Sequence, residues 1–362
     1  MKGRLNKFPA EAIRDVTSDA TSLRVGIIGT GLMGRWHAKA IKNAGGVLSA
    51  ITDRDTDAAQ RLATRYRYVK IFSDVEEMLN RTALDIIHIC TPTSTHFKLA
   101  KIALAAGLHL VIEKPITPMA ADTEHLLSLA AERGVLVCPV HQFIFQDGVL
   151  RARQFLSCLG RLVHIDGTIC SAGGVGRADQ DLDEIVADIL PHPLSLAQAF
   201  LPAGLPKDNW MTIRPGHGEL RAVGESAGIT LSIFISMKAR PTACSFQIIG
   251  ADGTLHLDLF HGFAFLEPGI ASRLRKIAHP FDLAVRRLSA AAVNLAQRAM
   301  RWESAYPGLQ RLVGSFYHAV RTKAESPISR DDIIVIAHVR DFLIQRAGLI
   351  NSAFSKKAVV LN

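Results

Sequence analysis

A chain of 362 residues, 48% apolar and 21% charged, is long enough for two packed domains and too apolar to be disordered. Its net charge of +9 is unevenly spread, with seven Lys/Arg against the single acid Asp282 in residues 272–302; no helix-turn-helix or RNA-binding signature accompanies it, so nucleic acid is not an expected partner. No apolar run is long enough to span a membrane and the first residues lack a signal-peptide core, so a cytoplasmic protein is expected.

Residues 1–22 are polar and mixed in charge and read as a loosely held arm. The apolar run 23–28 reads as a buried strand, followed at once by Gly29-Thr30-Gly31-Leu32-Met33-Gly34. Alone such a hexapeptide is weak, but between a strand and a helix it is a phosphate-binding turn. Gly29 allows the tight turn, Gly31 lets a pyrophosphate approach the backbone, and Gly34 lets helix pack on strand. The strand 47–52 then ends in Asp53, at a spacing that suits a carboxylate accepting hydrogen bonds from an adenosine ribose. That favours NAD; Arg54 beside it could meet the 2′-phosphate of NADP, and the bland reading of Asp53 is a helix N-cap.

Alternation continues with helices 35–44, 56–65, 75–80, 95–106 and 118–132 and strands 68–71, 85–90, 108–112 and 135–140. This predicts an α/β Rossmann dinucleotide-binding domain over 23–145, with a parallel sheet covered on both faces. Thr117 and Pro118 are expected to cap and open the last of these helices, and Gly134 to close it. After strand 108–112 comes Glu113-Lys114-Pro115, which puts a lysine at the carboxyl end of a parallel strand, where ligands of open α/β sheets bind.

Beyond a helical link at 149–158 the pattern changes to strands 162–169, 210–214, 220–223, 228–237, 242–249 and 254–257, with a hairpin turn at Gly250-Ala251-Asp252-Gly253. Residues 146–362 are therefore expected to form an α+β substrate and oligomerisation domain with a mainly antiparallel sheet, ending in a capped helix from Ser329 through Ile344. The five cysteines are scattered without a C-x-x-C, and no metal-ligand cluster stands at a recognised spacing, so no metal is expected. His88, His109 and His164 sit singly in strand-like runs and read as structural.

With these motifs placed, the chain resembles the Gfo/Idh/MocA oxidoreductases, the group of glucose–fructose oxidoreductase and inositol dehydrogenase. The resemblance rests on the glycine turn, Asp53, Thr91-Pro92-Thr93-Ser94-Thr95-His96, the run from Gly107 and His109 to Glu113-Lys114-Pro115, Asp188-x-x-x-His192 and the hairpin around Gly250–Gly253. It implies an NAD(P)-dependent dehydrogenase acting on a secondary alcohol of a sugar, cyclic polyol or nucleotide sugar. The backbone and hydroxyls of Thr91–Thr95 would line the nicotinamide side, with Thr91, Pro92 and His96 counted as cofactor contacts, Glu113 would hold the nicotinamide ribose, and Lys114 and His192 would meet the substrate. It also implies a cis bond between Lys114 and Pro115. The bland readings are a helix cap for Thr93–His96, and for His192 a surface residue between Pro191 and Pro193.

Such chemistry needs a base for the hydroxyl proton and a positive group beside the developing alkoxide, tasks that suit His192 and Lys114. Asp188, four residues before His192, would share a face with it and orient the imidazole if the segment is one helix. His141 and Arg177, the latter after the Gly-rich loop 171–176, complete the expected substrate contacts. The chain departs from the family pattern at Leu190, at Ser195 and in the run Val140-His141-Gln142-Phe143. These departures keep two alternatives in view: an NAD-binding regulatory or scaffold protein without turnover, and an NAD-dependent glycosidase. Besides a small sugar-like substrate, a homo-oligomeric state is expected.

Residues 272–302 stand outside the family pattern. Ile277, Phe281, Ala284, Leu288, Ala291, Leu295, Ala299 and Trp302 recur at helical spacing, with Arg286, Arg287, Arg298 and Arg301 to the flank or behind. The segment reads as a basic amphipathic helix in which Pro280 marks the start or a kink. The favoured expectation is a stripe packed on the second domain or a subunit partner, with peripheral contact to an anionic surface as the alternative.

Overall fold

The computed structural model describes residues 22–269, 273–301 and 306–349. Apart from Ser22, the expected N-terminal arm lies outside the described residues, as does Trp302. The chain divides into two compact units: the first runs to Gln142 and takes in Gly308–Ala337, and the second comprises Phe143–Pro307 and the chain from His338.

The first unit is built from β1 (Arg24–Ile28), α1 (Leu32–Asn43), β2 (Val47–Thr52), α2 (Thr56–Ala63), β3 (Lys70–Phe72), α3 (Val75–Arg81), β4 (Ile86–Ile89), α4 (His96–Ala105), β5 (His109–Ile112), α5 (Ala120–Glu132) and β6 (Val137–Pro139). Its six strands are all parallel, in the order β3-β2-β1-β4-β5-β6. The direction of strand order reverses beside β1, which opens a crevice at the carboxyl ends of β1 and β4. β1 and β4 are buried almost throughout, as continuous apolar strands covered on both faces must be.

Register decides which loops meet. Ile28 lies level with Thr52 on one side and Ile89 on the other, Ile89 with Ile112, and Ile112 with Pro139. The residues that follow, Gly29, Asp53, Cys90, Glu113 and Val140, therefore leave the sheet along one edge. Two local expectations are corrected and a third holds. α1 starts at Leu32, directly on the glycine turn. α5 starts at Ala120, because the Thr117 hydroxyl is engaged with Met119 O at 2.6 Å and with the Thr123 hydroxyl at 2.6 Å instead of capping the helix. Gly134, at φ +64, does close that helix.

The second unit carries α6 (Asp147–Gln154), β7 (Leu162–Cys170), α7 (Asp179–Ile189), α8 (Pro191–Phe200), β8 (Trp210–Ile213), β9 (Glu219–Ser226), β10 (Ile229–Ser236), β11 (Ala243–Gly250), β12 (Gly253–Asp258), β13 (Phe263–Pro268) and α9 (Arg273–Met300). Its sheet runs β13-β12-β11-β7-β10-β9-β8. The β11–β12 hairpin forms as expected, with Ile249 opposite Thr254. The sheet is mixed, however: β7 and β10 pair parallel, because the chain passes through α7, α8, β8 and β9 before β10 returns beside β7.

Two further elements change the expected division at 145/146. α10 (Leu309–Thr322) packs on α1 in the first unit, and α11 (Arg330–Ala347) starts there and continues into the second. The fit of α10 is close: a Cβ on Gly46 would stand 2.7 Å from the Tyr317 ring. Ser329 caps α11 as expected, accepting from Asp332 N at 3.2 Å. The expected packing of the α9 stripe on its own domain is also overturned. α9 lies on β13, yet Phe281, Leu288 and Leu295 are exposed, because its polar side finds the partners. Pro280 lies inside this helix and does not start it.

Candidate functional site

The three glycines of the turn are glycine for different reasons. Gly29 adopts φ +94, and a Cβ on it would lie 2.8 Å from the carbonyl oxygen of Cys90. A Cβ on Gly34 would lie 2.1 Å from the carbonyl oxygen of Gly29, so helix and turn touch there directly. At Gly31 a Cβ would meet nothing within 4 Å. The protein's own packing does not require glycine at that position; a ligand lying against the backbone does. Gly31 is the N-cap of α1, which has neither a side-chain cap nor an acid in its first turn. The first N–H groups of the helix and its positive dipole end are left to an anion such as a pyrophosphate. Leu32, more than half exposed, and Met33 continue this rim.

Asp53 closes the turn from the side. Its Oδ2 accepts from Thr30 N at 2.6 Å and from the Thr30 hydroxyl at 2.7 Å, and its Oδ1 accepts from Asp55 N at 2.9 Å. Burial alone would raise the Asp53 pKa, but these Thr30 hydrogen bonds, with the N–H groups of Asp55 and Arg54, hold it below its usual value. It is therefore a fixed anion and not an N-cap; the cap of α2 is Asp55, which accepts from Ala58 N at 2.9 Å. Arg54 is exposed beside it.

Between β4 and α4, Thr91 and Pro92 line the loop, and the Thr95 hydroxyl reaches Thr91 Oγ1 at 2.7 Å. His96 is corrected from cofactor contact to brace. It is buried, its Nε2 stands 2.8 Å from Thr91 O, and its Nδ1 stands 3.0 Å from Pro115 O. It thus links the loop after β4 to the loop after β5, where the Lys114–Pro115 bond is cis. His141, one residue past Val140 at the same sheet edge, is buried with an Nδ1 that has no hydrogen-bond partner among the described residues. Burial, with the nearby Lys114 charge, pushes the His141 pKa down to about 3. A buried polar atom without a partner is the kind of atom a ligand satisfies.

Sequence reasoning missed what lies behind Glu113. Its Oε1 stands 3.0 Å from His37 Nε2, His37 Nδ1 stands 2.7 Å from His88 Nδ1, and His88 Nε2 stands 2.9 Å from the Tyr317 hydroxyl. All four groups are buried. A carboxylate only accepts, and a neutral imidazole donates once and accepts once. With Glu113 ionised, His37 donates to it through Nε2, and His88 links His37 to the Tyr317 hydroxyl. Burial and the charge of the neighbouring His37 push the His88 pKa well down, and burial pushes the Tyr317 pKa well up. Burial would raise the Glu113 pKa, but the His37 hydrogen bond and the Lys114 charge keep it below its usual value. The available signal was His37 three residues after Gly34, on the side of α1 that faces the sheet.

In the second unit, His192 lies on the first turn of α8, buried, with its ring stacked on Phe143 at a centroid distance of 4.3 Å. Asp188 is on α7, and the helix breaks at Leu190 because Pro191 and Pro193 supply no N–H. Leu190 itself keeps helical dihedrals, φ −46 and ψ −40, so the two helices join there without a loop. Burial pushes the Arg340 pKa down, and the charges of Asp341 and Asp188 oppose it, so Asp188 acts on Arg340. Arg177 is exposed in the loop before α7.

Two measurable consequences follow from the first unit. Tyr317→Phe leaves His88 Nε2 buried without its hydrogen-bond partner and should destabilise the protein by about 1–3 kcal/mol, read from urea midpoints. His141 and His88 stay neutral in the fold well below the pH near 6.5 at which an unfolded histidine titrates. Their stabilisation is complete above that pH and is lost as pH falls towards the depressed folded pKa, at about 1.4 kcal/mol per pH unit for each group. Urea midpoints between pH 7 and 4.5 should accordingly fall less steeply for His141→Gln than for the parent; an unchanged slope would show that His141 is protonated in the fold.

Comparison with known proteins agrees with this geometry. Residues 23–141 match the model of the GFO_IDH_MocA oxidoreductase family, NAD-binding Rossmann fold. The chain is 36% identical over 122 residues to UDP-N-acetylglucosamine 3-dehydrogenase of Acidithiobacillus ferrooxidans, a stretch covering 33% of this chain and 37% of that protein. It is 28% identical over 238 residues to inositol 2-dehydrogenase 4 of Saccharopolyspora erythraea, covering 59% of this chain and 67% of that one. In sequence, then, the chain spans little more than a third of the length of the first of these relatives. Among solved structures, levoglucosan dehydrogenase in complex with NADH and levoglucosan superposes with a TM-score of 0.74 at 18% identity, over 90% of this chain and 97% of the other, which shows a shared fold. Over residues 23–141, about a third of its length, the chain is thus similar to the Gfo/Idh/MocA oxidoreductase family, with its NAD-binding Rossmann fold.

Proposed function

We propose that the protein is an NAD-dependent dehydrogenase that oxidises a secondary alcohol of a sugar, cyclic polyol or nucleotide sugar. The observation that carries this reading is Gly31, an open glycine on the uncapped N-terminus of α1, at the same sheet edge as Asp53, Glu113 and Lys114. The substrate class is taken from relatives named as acting on inositol, UDP-N-acetylglucosamine and levoglucosan. Bound NAD would supply the hydride acceptor. The turn and the start of α1 would hold its pyrophosphate, Asp53 its adenosine ribose, and Glu113, fixed by His37, its nicotinamide ribose, with Thr91 and Pro92 beside the ring.

Lys114 would place its charge beside the substrate oxygen as the O–H proton leaves, stabilising negative charge where it develops. His192, on the second unit, is proposed as the proton acceptor, a role its ring chemistry suits. His141 and Arg177 are proposed as substrate contacts. The test is NADH formation with inositol, levoglucosan and UDP-N-acetylglucosamine as candidate alcohols. Lys114→Ala and, separately, His192→Asn should each lower kcat by about 10²–10⁴-fold while NAD affinity changes little. Near-normal turnover in either variant would remove that residue from the chemistry, and absence of NADH with every alcohol tried would remove the dehydrogenase reading.

Preference for NAD over NADP is assigned to the fixed Asp53 carboxylate, which would repel a 2′-phosphate. Because Asp53 also holds Thr30, Asp53→Ser should weaken NAD by more than about tenfold while narrowing its advantage over NADP. Equal use of both coenzymes by the parent would assign the ribose end to Arg54.

A further inference from the structure

Helix α9 docks on its own unit by one side and presents the opposite side to solvent. On the docked side, His279 Nε2 meets Glu267 Oε1 at 2.7 Å, Asn294 and Arg298 donate to His261 O at 2.9 and 2.8 Å, and Gln297 accepts from Arg151 at 2.8 Å. On the other side Ile277, Phe281, Val285, Leu288 and Leu295 are 75, 76, 61, 71 and 70% exposed. At 100° per residue these five fall in one stripe roughly 80° wide, about half a turn from the docked residues. Single exposed apolar residues need no explanation, but a continuous row of five on one helix marks an interaction surface.

Charge selects the occupant. Within α9 six Lys/Arg face a single acid, Asp282, which pairs with Arg286 at 2.7 Å. Arg301, just beyond the helix, pairs with Asp147. A second copy of this helix laid on the stripe would bring two strongly cationic segments together, and a neutral apolar partner would offer nothing to the excess of positive charge along the helix. A surface that is apolar in depth and anionic at its rim answers both features, and the interface of a bilayer with acidic headgroups has that profile. The helix is not apolar enough to cross a membrane. It is rigidly mounted on β13, and from Ile277 to Leu295 its stripe extends about 27 Å.

We propose that α9 is an in-plane membrane-binding helix that seats this protein on anionic lipid through Ile277, Phe281, Val285, Leu288 and Leu295. The inference is independent of the dehydrogenase reading, since no residue of α9 belongs to the proposed site. The experiment is co-sedimentation of the full chain with vesicles of phosphatidylcholine containing about one-third phosphatidylglycerol, against phosphatidylcholine alone, at low and high salt. Binding to the anionic vesicles should be at least about tenfold stronger, should weaken as salt rises, and should fall about tenfold or more in a Phe281→Ser, Leu288→Ser variant. Both positions are exposed, so the variant should keep the parent's unfolding midpoint. Arg286→Gln with Arg287→Gln should reduce the advantage of the anionic vesicles. Three results would overturn the proposal. One is absence of binding to anionic vesicles at low salt, and another is equal binding to both vesicle types. The third is a dimer in sedimentation velocity that the Phe281→Ser, Leu288→Ser variant converts to monomer without any vesicle binding, which would make the stripe a contact between copies.

Discussion

The parallel register of the first sheet is the constraint on which the proposed chemistry rests. Because Thr52, Ile28, Ile89 and Ile112 are level, the four chain segments that leave them bring Asp53, the glycine turn, Thr91 and Glu113 to one edge without any long-range device. The tolerance at that edge is small. Gly34 touches Gly29 so closely that a single methyl group would part helix from turn, and Asp53 spends one oxygen holding the turn closed. The proposed recognition of the adenosine ribose and the shape of the phosphate loop are thus tied to one side chain.

Behind that edge, a buried hydrogen-bond chain connects three elements from distant parts of the sequence. Tyr317 on α10, His88 on β4 and His37 on α1 are joined in a row that ends on Glu113. A buried carboxylate is costly unless its acceptors are filled, and this chain supplies a donor. It gives the C-terminal helix a reason to return to the first unit: α10 completes the polar interior that makes an ionised Glu113 tenable. His96 performs a related task for the loops after β4 and β5, holding each through a backbone carbonyl.

In the second unit, the prolines around His192 decide the local geometry. They end one helix at Ile189 and open the next at Pro191, the imidazole stacks on Phe143, and Asp188 contributes to the surroundings of the buried Arg340. Asp183 is more deeply held, accepting from Arg214 and Gly218 N and meeting His217, so α7 is anchored to the loop before β9. α9 follows a different logic, with polar groups buried on β13 and apolar groups left outside.

The strand–turn–helix order, the glycine turn, Asp53 and the lysine after β5 were all legible in the sequence, because each depends on neighbours a few residues away: period, turn chemistry and strand ends. The hairpin at Gly250–Gly253 and the Ser329 cap are local in the same sense. What only the tertiary structure decided depends on partners far along the chain. His88 reads as a lone strand histidine until Tyr317, 229 residues later, meets it. The parallel pairing of β7 with β10 and the return of α10 to α1 are choices among surfaces that periodicity cannot rank. The amphipathic pattern of α9 is plain in the sequence, but hydrophobicity assigned its apolar side inward. Hydrogen bonds to His261 and Glu267 turned the polar side inward instead.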